Sequence, residues 1–337
     1  MKKVVWYVGG KSAGHIIPLI TCAQREAHEP VFITTHRDLD KQLVQSEWQG
    51  AIHCALYLPD FHRKKFWLYP WYILTWFWAF MRLAHLYYKT RPVKIFSTGG
   101  LTAIPVFLFG FCMGIPRELF ELNAIPGDAV MFLRPLSNHI FYCYKAAASF
   151  FSLQKSSYKA YPIRPFKLAD RMTACSILGL DSEKKTICFL GGSQGSHFIN
   201  TLACQVIGSY YAPQAIQIIH QAGRTDLASL RTWYATHGYR AYVVDFSEQI
   251  EIFYSAADVV ICRAGAGTLW ELATLAVPTC VIPLHTQATD HQVHNARALC
   301  AEKPQQFIMI GQTDDAQHEV ACCIKQFFTL QSADAGI

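Results

Sequence analysis

Val259-Val-Ile-Cys-Arg-Ala-Gly-Ala-Gly-Thr-Leu-Trp-Glu-Leu-Ala273 joins three pieces of local structure in one short segment. Asp258 to Cys262 is an apolar run of strand length, Ala264-Gly265-Ala266-Gly267 is a small-residue turn, and Thr268 onward has the spacing of a helix. Strand, glycine turn and helix together make an anion site. A turn of small residues lets a ligand approach bare backbone, and the first N–H groups and the dipole of the new helix point at it, as suits a pyrophosphate. Glu271 lies one turn into that helix, where a carboxylate can accept from both hydroxyls of a ribose. Taken singly, the turn fits any parallel α/β protein, and Glu271 reads equally well as an ordinary first-turn acid.

A second constellation follows. After the strand Thr279-Cys-Val-Ile282 come Pro283, a polar loop, and Asp290-His291-Gln292 with Asn295-Ala296 opening another helix. Upstream, Thr186 to Leu190 runs into Gly191-Gly192-Ser193-Gln194-Gly195-Ser196 before a helix reaching about Ile207. Ser193 and Gln194 add side-chain donors to a backbone phosphate cradle. The same unit recurs near the start, where Val4 to Val8 leads into Gly9-Gly10-Lys11-Ser12-Ala13-Gly14-His15 and a helix to about Ala27. It recurs again at Lys94 to Ser97, followed by Thr98-Gly99-Gly100 and a helix over Ala103 to Cys112. Strands alternate with helices throughout, and no solenoid-length repeat is visible. Periodicity lapses from Ser157 to Lys167, and Tyr161-Pro-Ile-Arg164-Pro165 reads as a linker between two domains.

Length and composition agree with this. The 337 residues suffice for two domains, each with its own core. The 12 cysteines are scattered, so neither metal-ligand spacing nor a disulfide framework emerges, and a reducing cytoplasm is expected. Met1-Lys-Lys runs directly into a strand, without the apolar core of a signal peptide. The net charge of +6 is unevenly placed: Phe61 to Arg117 contains no Asp or Glu, against Arg63, Lys64, Lys65, Arg82, Lys89, Arg91, Lys94 and Arg117. Phe66 to Met81, rich in Trp and Tyr and uncharged, falls short of the ~20 residues a spanning helix needs. It suits a helix with one face on the domain core and another in the headgroup layer, so that residues 63–91 meet an anionic membrane rather than nucleic acid. A wholly buried aromatic helix is the competing account.

These motifs resemble glycosyltransferase family 28. Its pattern of strand, Arg-Ser-Gly-Ala, helix with Glu, and Gln near Asn-Ala is met by Arg263, Gly265, Ala266, Thr268, Glu271, Gln292 and Asn295. The family's Gly-Gly-Ser-Gln-Gly stands here as Gly191 to Gly195. Its N-terminal Gly-Gly-Thr-Gly-Gly-His is kept at Gly10, Gly14 and His15, with Ser12 for Thr and with Lys11 and Ala13 in place of glycines. A second glycine loop matches at Gly99, Gly100 and Pro105 but not at Leu101, Ala103 and Ile104. His-Glu-Gln-Asn is reduced to Glu121 and Asn123, and Asn-Pro-Val-Arg to Pro162 and Arg164.

The resemblance implies the GT-B arrangement, two Rossmann-like α/β domains facing across a cleft. An acceptor domain would occupy 1–162 and a UDP-sugar domain 163–318, with a helix over about 319–337 returning to the first. It implies inverting transfer of N-acetylglucosamine from UDP-N-acetylglucosamine to an undecaprenyl-pyrophosphoryl muramyl-pentapeptide at the cytoplasmic face of the inner membrane, in peptidoglycan synthesis, with no cofactor. Arg164 would stand at the cleft mouth and Ile250 near the uracil. His15 and Glu121 compete for the role of base. The departures at Lys11, Ala13, Leu101 to Ile104 and Leu122 keep open a sister enzyme with another lipid acceptor, and, from a different class, a membrane-bound interaction module.

Overall fold

The computed structural model describes residues 3–10, 13–59, 68–192, 194–284 and 290–334, so Lys11, Ser12, Ser193 and the basic residues 63–65 lie outside the described part. The chain forms two compact units, Met1–Arg164 and Pro165–Ile337. The division falls within the linker read from the sequence.

In the first unit the order is β1 (Val4–Val8), α1 (Ala13–Gln24), β2 (Glu29–Thr35), α2 (Asp38–Glu47), β3 (Ile52–Leu56), α3 (Tyr69–Thr90), β4 (Lys94–Ser97), α4 (Ala103–Cys112), β5 (Arg117–Glu121), α5 (Asp128–Leu133), β6 (His139–Tyr142) and β7 (Ser156–Tyr158). Its parallel sheet runs β3-β2-β1-β4-β5-β6-β7. Parallel strands need helical crossovers that cover both faces, and this is why β1 is an unbroken apolar run with Val5, Trp6, Tyr7 and Val8 all buried. One face packs Trp6, Val8, Val31, Ile33 and Ile95 against Leu83 of α3 and Val106 and Phe107 of α4. Each of these buried side chains contributes about 1.5–3 kcal/mol, and truncating Phe107 to Ala would cost about 3–5 kcal/mol.

The second unit follows as α6 (Arg171–Ile177), β8 (Lys185–Leu190), α7 (His197–Tyr210), β9 (Ile216–Gln221), α8 (Leu227–Thr236), β10 (Ala241–Val244), α9 (Ile250–Ala256), β11 (Val259–Cys262), α10 (Ala266–Leu275), β12 (Thr279–Val281), α11 (Asp290–Glu302), β13 (Phe307–Met309) and α12 (Ala316–Asp334). Its parallel sheet has the order β10-β9-β8-β11-β12-β13. The helix expected from about residue 319 to return to the first domain is α12. Its Val320, Ala321, Cys323, Ile324 and Phe327 are buried in the core of the second unit, and Gln331 bonds the Asp258 carbonyl and Lys185. An apolar stripe finds its partner on the sheet beside it, so α12 belongs to the second unit.

In both sheets the strand order reverses direction at one place, between β1 and β4 and between β8 and β11. Such a switch point splays the two loops that follow and opens a crevice at the carboxyl ends of the strands. The glycine loops lie there.

Candidate functional site

In the second unit Leu190 pairs with Cys262, so the loops beginning at Gly191 and Arg263 leave neighbouring strands side by side. The first loop is tightly folded. A Cβ on Gly191 would lie 2.6 Å from the Ser196 nitrogen, and one on Gly223 would lie 2.6 Å from Gly195 Cα. Gly195 and Gly223 also have φ of +78° and +77°, which an L side chain rarely adopts. Gln194 is exposed on the turn. Gln221 ties the loop down, donating to the Gly192 carbonyl at 3.1 Å and accepting from Ser247 N at 3.2 Å.

Arg263, which the family resemblance makes a substrate contact, is engaged within the protein. Its Nε and Nη2 donate to Ser196 Oγ at 3.1 and 2.8 Å, and its Nη1 to the Ile282 carbonyl and Gln312 Oε1 at 3.2 and 3.1 Å. The guanidinium also lies over the Phe198 ring. Ser196 is in turn the N-cap of α7, accepting from Ile199 N. Arg263 thus braces the Gly191–Ser196 loop.

Gly265 is the N-cap of α10 and has no side-chain cap, and Ala266, Gly267 and Thr268 in the first turn are half-buried. The first-turn N–H groups have no acceptor inside their own helix and carry the positive end of its dipole, so they suit an anion. Glu271 is half-buried one turn on, and its Oε2 accepts from Tyr254 Oη at 2.9 Å. Ile250, the first residue of α9, is buried. Gln292 does not simply face outward: its Oε1 accepts from Leu284 N at 3.1 Å, and residues 285–289 lie outside the described part. Asn295 is fully buried in α11.

In the first unit Val8 pairs with Ser97. Ser97 Oγ donates to the Val8 carbonyl and accepts from Gly99 N, joining the two glycine loops. Gly14 is exposed in the first turn of α1, and His15 beside it is half-buried. His15 and Thr98 clamp each other. Nδ1 of His15 lies 3.1 Å from the Thr98 carbonyl, and Thr98 Oγ1 donates to the His15 carbonyl at 3.1 Å. A carbonyl can only accept, so Nδ1 carries a proton in this contact, and whenever the ring is neutral the lone pair is on Nε2.

Glu121 ends β5, two strands from β1 at the same end of the sheet. It is 1% exposed; Oε1 accepts from Asn123 N and Nδ2 at 2.7 and 3.1 Å, while Oε2 has no hydrogen-bond partner. Burial pushes its carboxyl up to about 7, against the pull of hydrogen bonds from Asn123, Gly127 and Leu122. Arg164, half-buried, is the last residue of the unit.

From Tyr69 onward the aromatic segment forms α3, which continues nine residues past Met81, while Phe66 and Trp67 lie outside the described residues. Tyr72, Thr75, Ala79, Leu83, Leu86 and Thr90 are buried at helical spacing, whereas Trp71, Ile73, Phe77 and Trp78 are 49, 71, 56 and 60% exposed. The helix is therefore not wholly buried. Arg82 and Lys89 are exposed on it, and Arg91 is exposed at its C-cap. Two other members of the basic stretch are consumed internally: Arg117 is buried and donates to the Leu136 and Gly110 carbonyls, and Lys94 pairs with Glu118 and Glu26. Among the described residues no helix is long and apolar enough to cross a membrane.

Two tandem Rossmann-like units with glycine loops at the switch point of each sheet are the architecture of a GT-B glycosyltransferase. The chain belongs to glycosyltransferase family 28: residues 4–142 match the family's N-terminal domain and residues 186–326 its C-terminal domain. A Myxococcus xanthus relative is 30% identical over 89% of this chain and 78% of its own length, and one from Sulfurovum sp. is 34% identical over 72% and 67%. Both carry the name UDP-N-acetylglucosamine–N-acetylmuramyl-(pentapeptide) pyrophosphoryl-undecaprenol N-acetylglucosamine transferase. The crystal structure of Acinetobacter baumannii MurG is 22% identical and superimposes with a TM-score of 0.73 over 97% of this chain and 90% of that one.

Tyr254 and Gln221 hold a side chain and a loop of the candidate site, and their sequence surroundings do not point to it. A tyrosine in an apolar helix and a glutamine ending an apolar strand look like core residues until their partners are known.

Proposed function

We propose that this chain transfers N-acetylglucosamine from UDP-N-acetylglucosamine to the muramyl sugar of an undecaprenyl-pyrophosphoryl-linked pentapeptide, with inversion at the anomeric carbon. The observation that carries the donor half is the uncapped N-terminus of α10 with Glu271 one turn behind it. The helix end and the Gly191–Gly195 loop bind the diphosphate and stabilise the charge that grows on departing UDP, while Glu271 accepts from the ribose. Gln194 and Thr268, and Ser193 by its place in the sequence beside Gln194, contact the donor, with Ile250 at the base and Gln292 at the sugar.

On the acceptor side Ser12, Gly14, Asn123 and Arg164 receive the lipid-linked substrate. His15 Nε2 takes the proton of the attacking hydroxyl, a role its tautomer and partial exposure support. Glu121, buried and bound to Asn123, shapes the loop beside it. The exposed Trp71, Phe77 and Trp78 of α3, flanked by Arg82 and Lys89, rest in the anionic headgroup layer at the cytoplasmic face, within reach of the lipid acceptor.

The test is an acceptor screen with UDP-[14C]N-acetylglucosamine. Incorporation should require the muramyl-pentapeptide lipid. Incorporation only into a different undecaprenyl-linked sugar would overturn the acceptor assignment, and failure to bind UDP at all would overturn the enzyme reading.

A further inference from the structure

Beyond the groups assigned to the donor, a buried hydroxyl among the described residues of the second unit is aimed at the carboxylate on which nucleotide recognition rests. Tyr254 lies in α9, is 4% exposed, and packs edge-on against Phe166 with ring centroids 6.1 Å apart and planes 88° apart. Its Oη donates to Glu271 Oε2 at 2.9 Å across the gap between α9 and α10. Burial first, and the Glu271 charge second, raise the Tyr254 phenol far above its usual range, so it keeps its proton and is the donor at every working pH. Glu271 itself is half-buried on a helix, with three side-chain torsions to fix.

We propose that Tyr254 is a positioning residue that holds the Glu271 carboxylate in the orientation needed to accept from both ribose hydroxyls, and that it thereby sets the preference for ribonucleoside over 2′-deoxyribonucleoside diphosphates. The inference rests on the reading of Glu271 as the ribose acceptor. A carboxylate free to rotate meets two vicinal hydroxyls in only some of its rotamers, and the cost of selecting one falls on the ligand. A donor fixed by a packed ring meets that cost in the folded protein. The second ribose hydroxyl adds affinity only if the carboxylate is aligned for two bonds, so loss of alignment should weaken UDP more than 2′-deoxy-UDP.

The experiment is a double-mutant cycle. UDP and 2′-deoxy-UDP are titrated calorimetrically into the wild type, Tyr254→Phe, Glu271→Ala and the double variant, in the cold and well below their melting transitions. Phe keeps the packed ring, and the vacated Oε2 belongs to a carboxylate that water can reach, so Tyr254→Phe is expected to fold. It should weaken UDP about three- to tenfold, the loss of one hydrogen bond's alignment, and shrink the ratio of the two affinities. The KM for the sugar nucleotide should rise by a larger factor than kcat falls. In the Glu271→Ala background the Phe substitution should change neither ligand's affinity further.

An unchanged affinity ratio in Tyr254→Phe would overturn the proposal, as would a further loss of UDP binding when it is added to Glu271→Ala, because that loss would come from packing. The underlying reading fails separately: Glu271→Ala would then leave UDP affinity and the ratio at wild-type values.

Discussion

Glu121→Gln should stabilise the protein at alkaline pH and not at acid pH. The carboxylate is 1% exposed, Oε1 has the Asn123 donors, and Oε2 has no partner. Burial therefore holds its folded-state pKa up at about 7, above an ordinary value of 4.5. Between these values the folded state binds more protons than the unfolded one, so stability falls as pH rises through that window and levels off above it. At ~1.4 kcal/mol per pH unit the window is worth about 3 kcal/mol. Glutamine does not titrate there and keeps an oxygen for Asn123, so its stability relative to wild type should grow by that amount from pH 4.5 to 8. For a unit of this size it corresponds to a gain of roughly 6–12 °C in melting temperature at pH 8. Thermal unfolding of both proteins at half-unit steps across the range measures it. Wild-type and Glu121→Gln curves that run parallel would show that the carboxyl is solvated or paired, and the argument from burial would fail.

His15→Ala should lower kcat by about 10²–10⁴ while calorimetric UDP affinity stays within about twofold, because a base acts on the acceptor hydroxyl and not on the donor; near-normal turnover would remove His15 from the chemistry. Gly223→Ala places a methyl 2.6 Å from Gly195 Cα and 2.8 Å from the Gln194 carbonyl at φ +77°, so it should cost about 2–4 kcal/mol of stability and weaken UDP. Gly114→Ala, at φ +67° with nothing within 4 Å, should cost only about 1 kcal/mol, and equal costs in the two variants would refute the packing argument. The triple change of Trp71, Phe77 and Trp78 to Ser should reduce sedimentation with anionic vesicles and leave the melting temperature within a few degrees, since all three side chains are exposed. A large drop in melting temperature with unchanged vesicle binding would mark α3 as a core helix.

Much of this architecture is legible because it is local. A buried parallel strand needs a continuous apolar run and a sharp exit toward a helix needs small residues, so β1, β8 and β11 announce themselves with their loops. The face of α3 is legible in kind, since aromatic residues on all sides of a helix leave some exposed. Which ones is decided by the partner, and the stripe from Tyr72 to Thr90 meets the β1–β4 face of the sheet. The destination of α12 was not legible for the same reason: the sequence contains the stripe Val320, Ile324 and Phe327, but nothing in it says which sheet lies opposite.

The side chains of the site divide along the same line. The place of Glu271 is legible from spacing because it follows its own glycine turn by one helical turn, and distance along the chain stands in for distance in space. Arg263 sits just as close to that turn, and by the same logic should reach the substrate, yet four donor contacts to Ser196, Ile282 and Gln312 absorb it. Those acceptors come from segments 67, 19 and 49 residues away, brought together because β8 and β12 flank β11 and β13, which leads to Gln312, lies beyond β12. Arg263→Ala should consequently disorder the Ser196 cap and the glycine loop and act on UDP affinity through them, whereas Arg263→Lys, with one compact charge and no planar fork, should recover little. If Lys restored full UDP affinity, a charge toward the diphosphate and not a brace between loops would be what position 263 supplies.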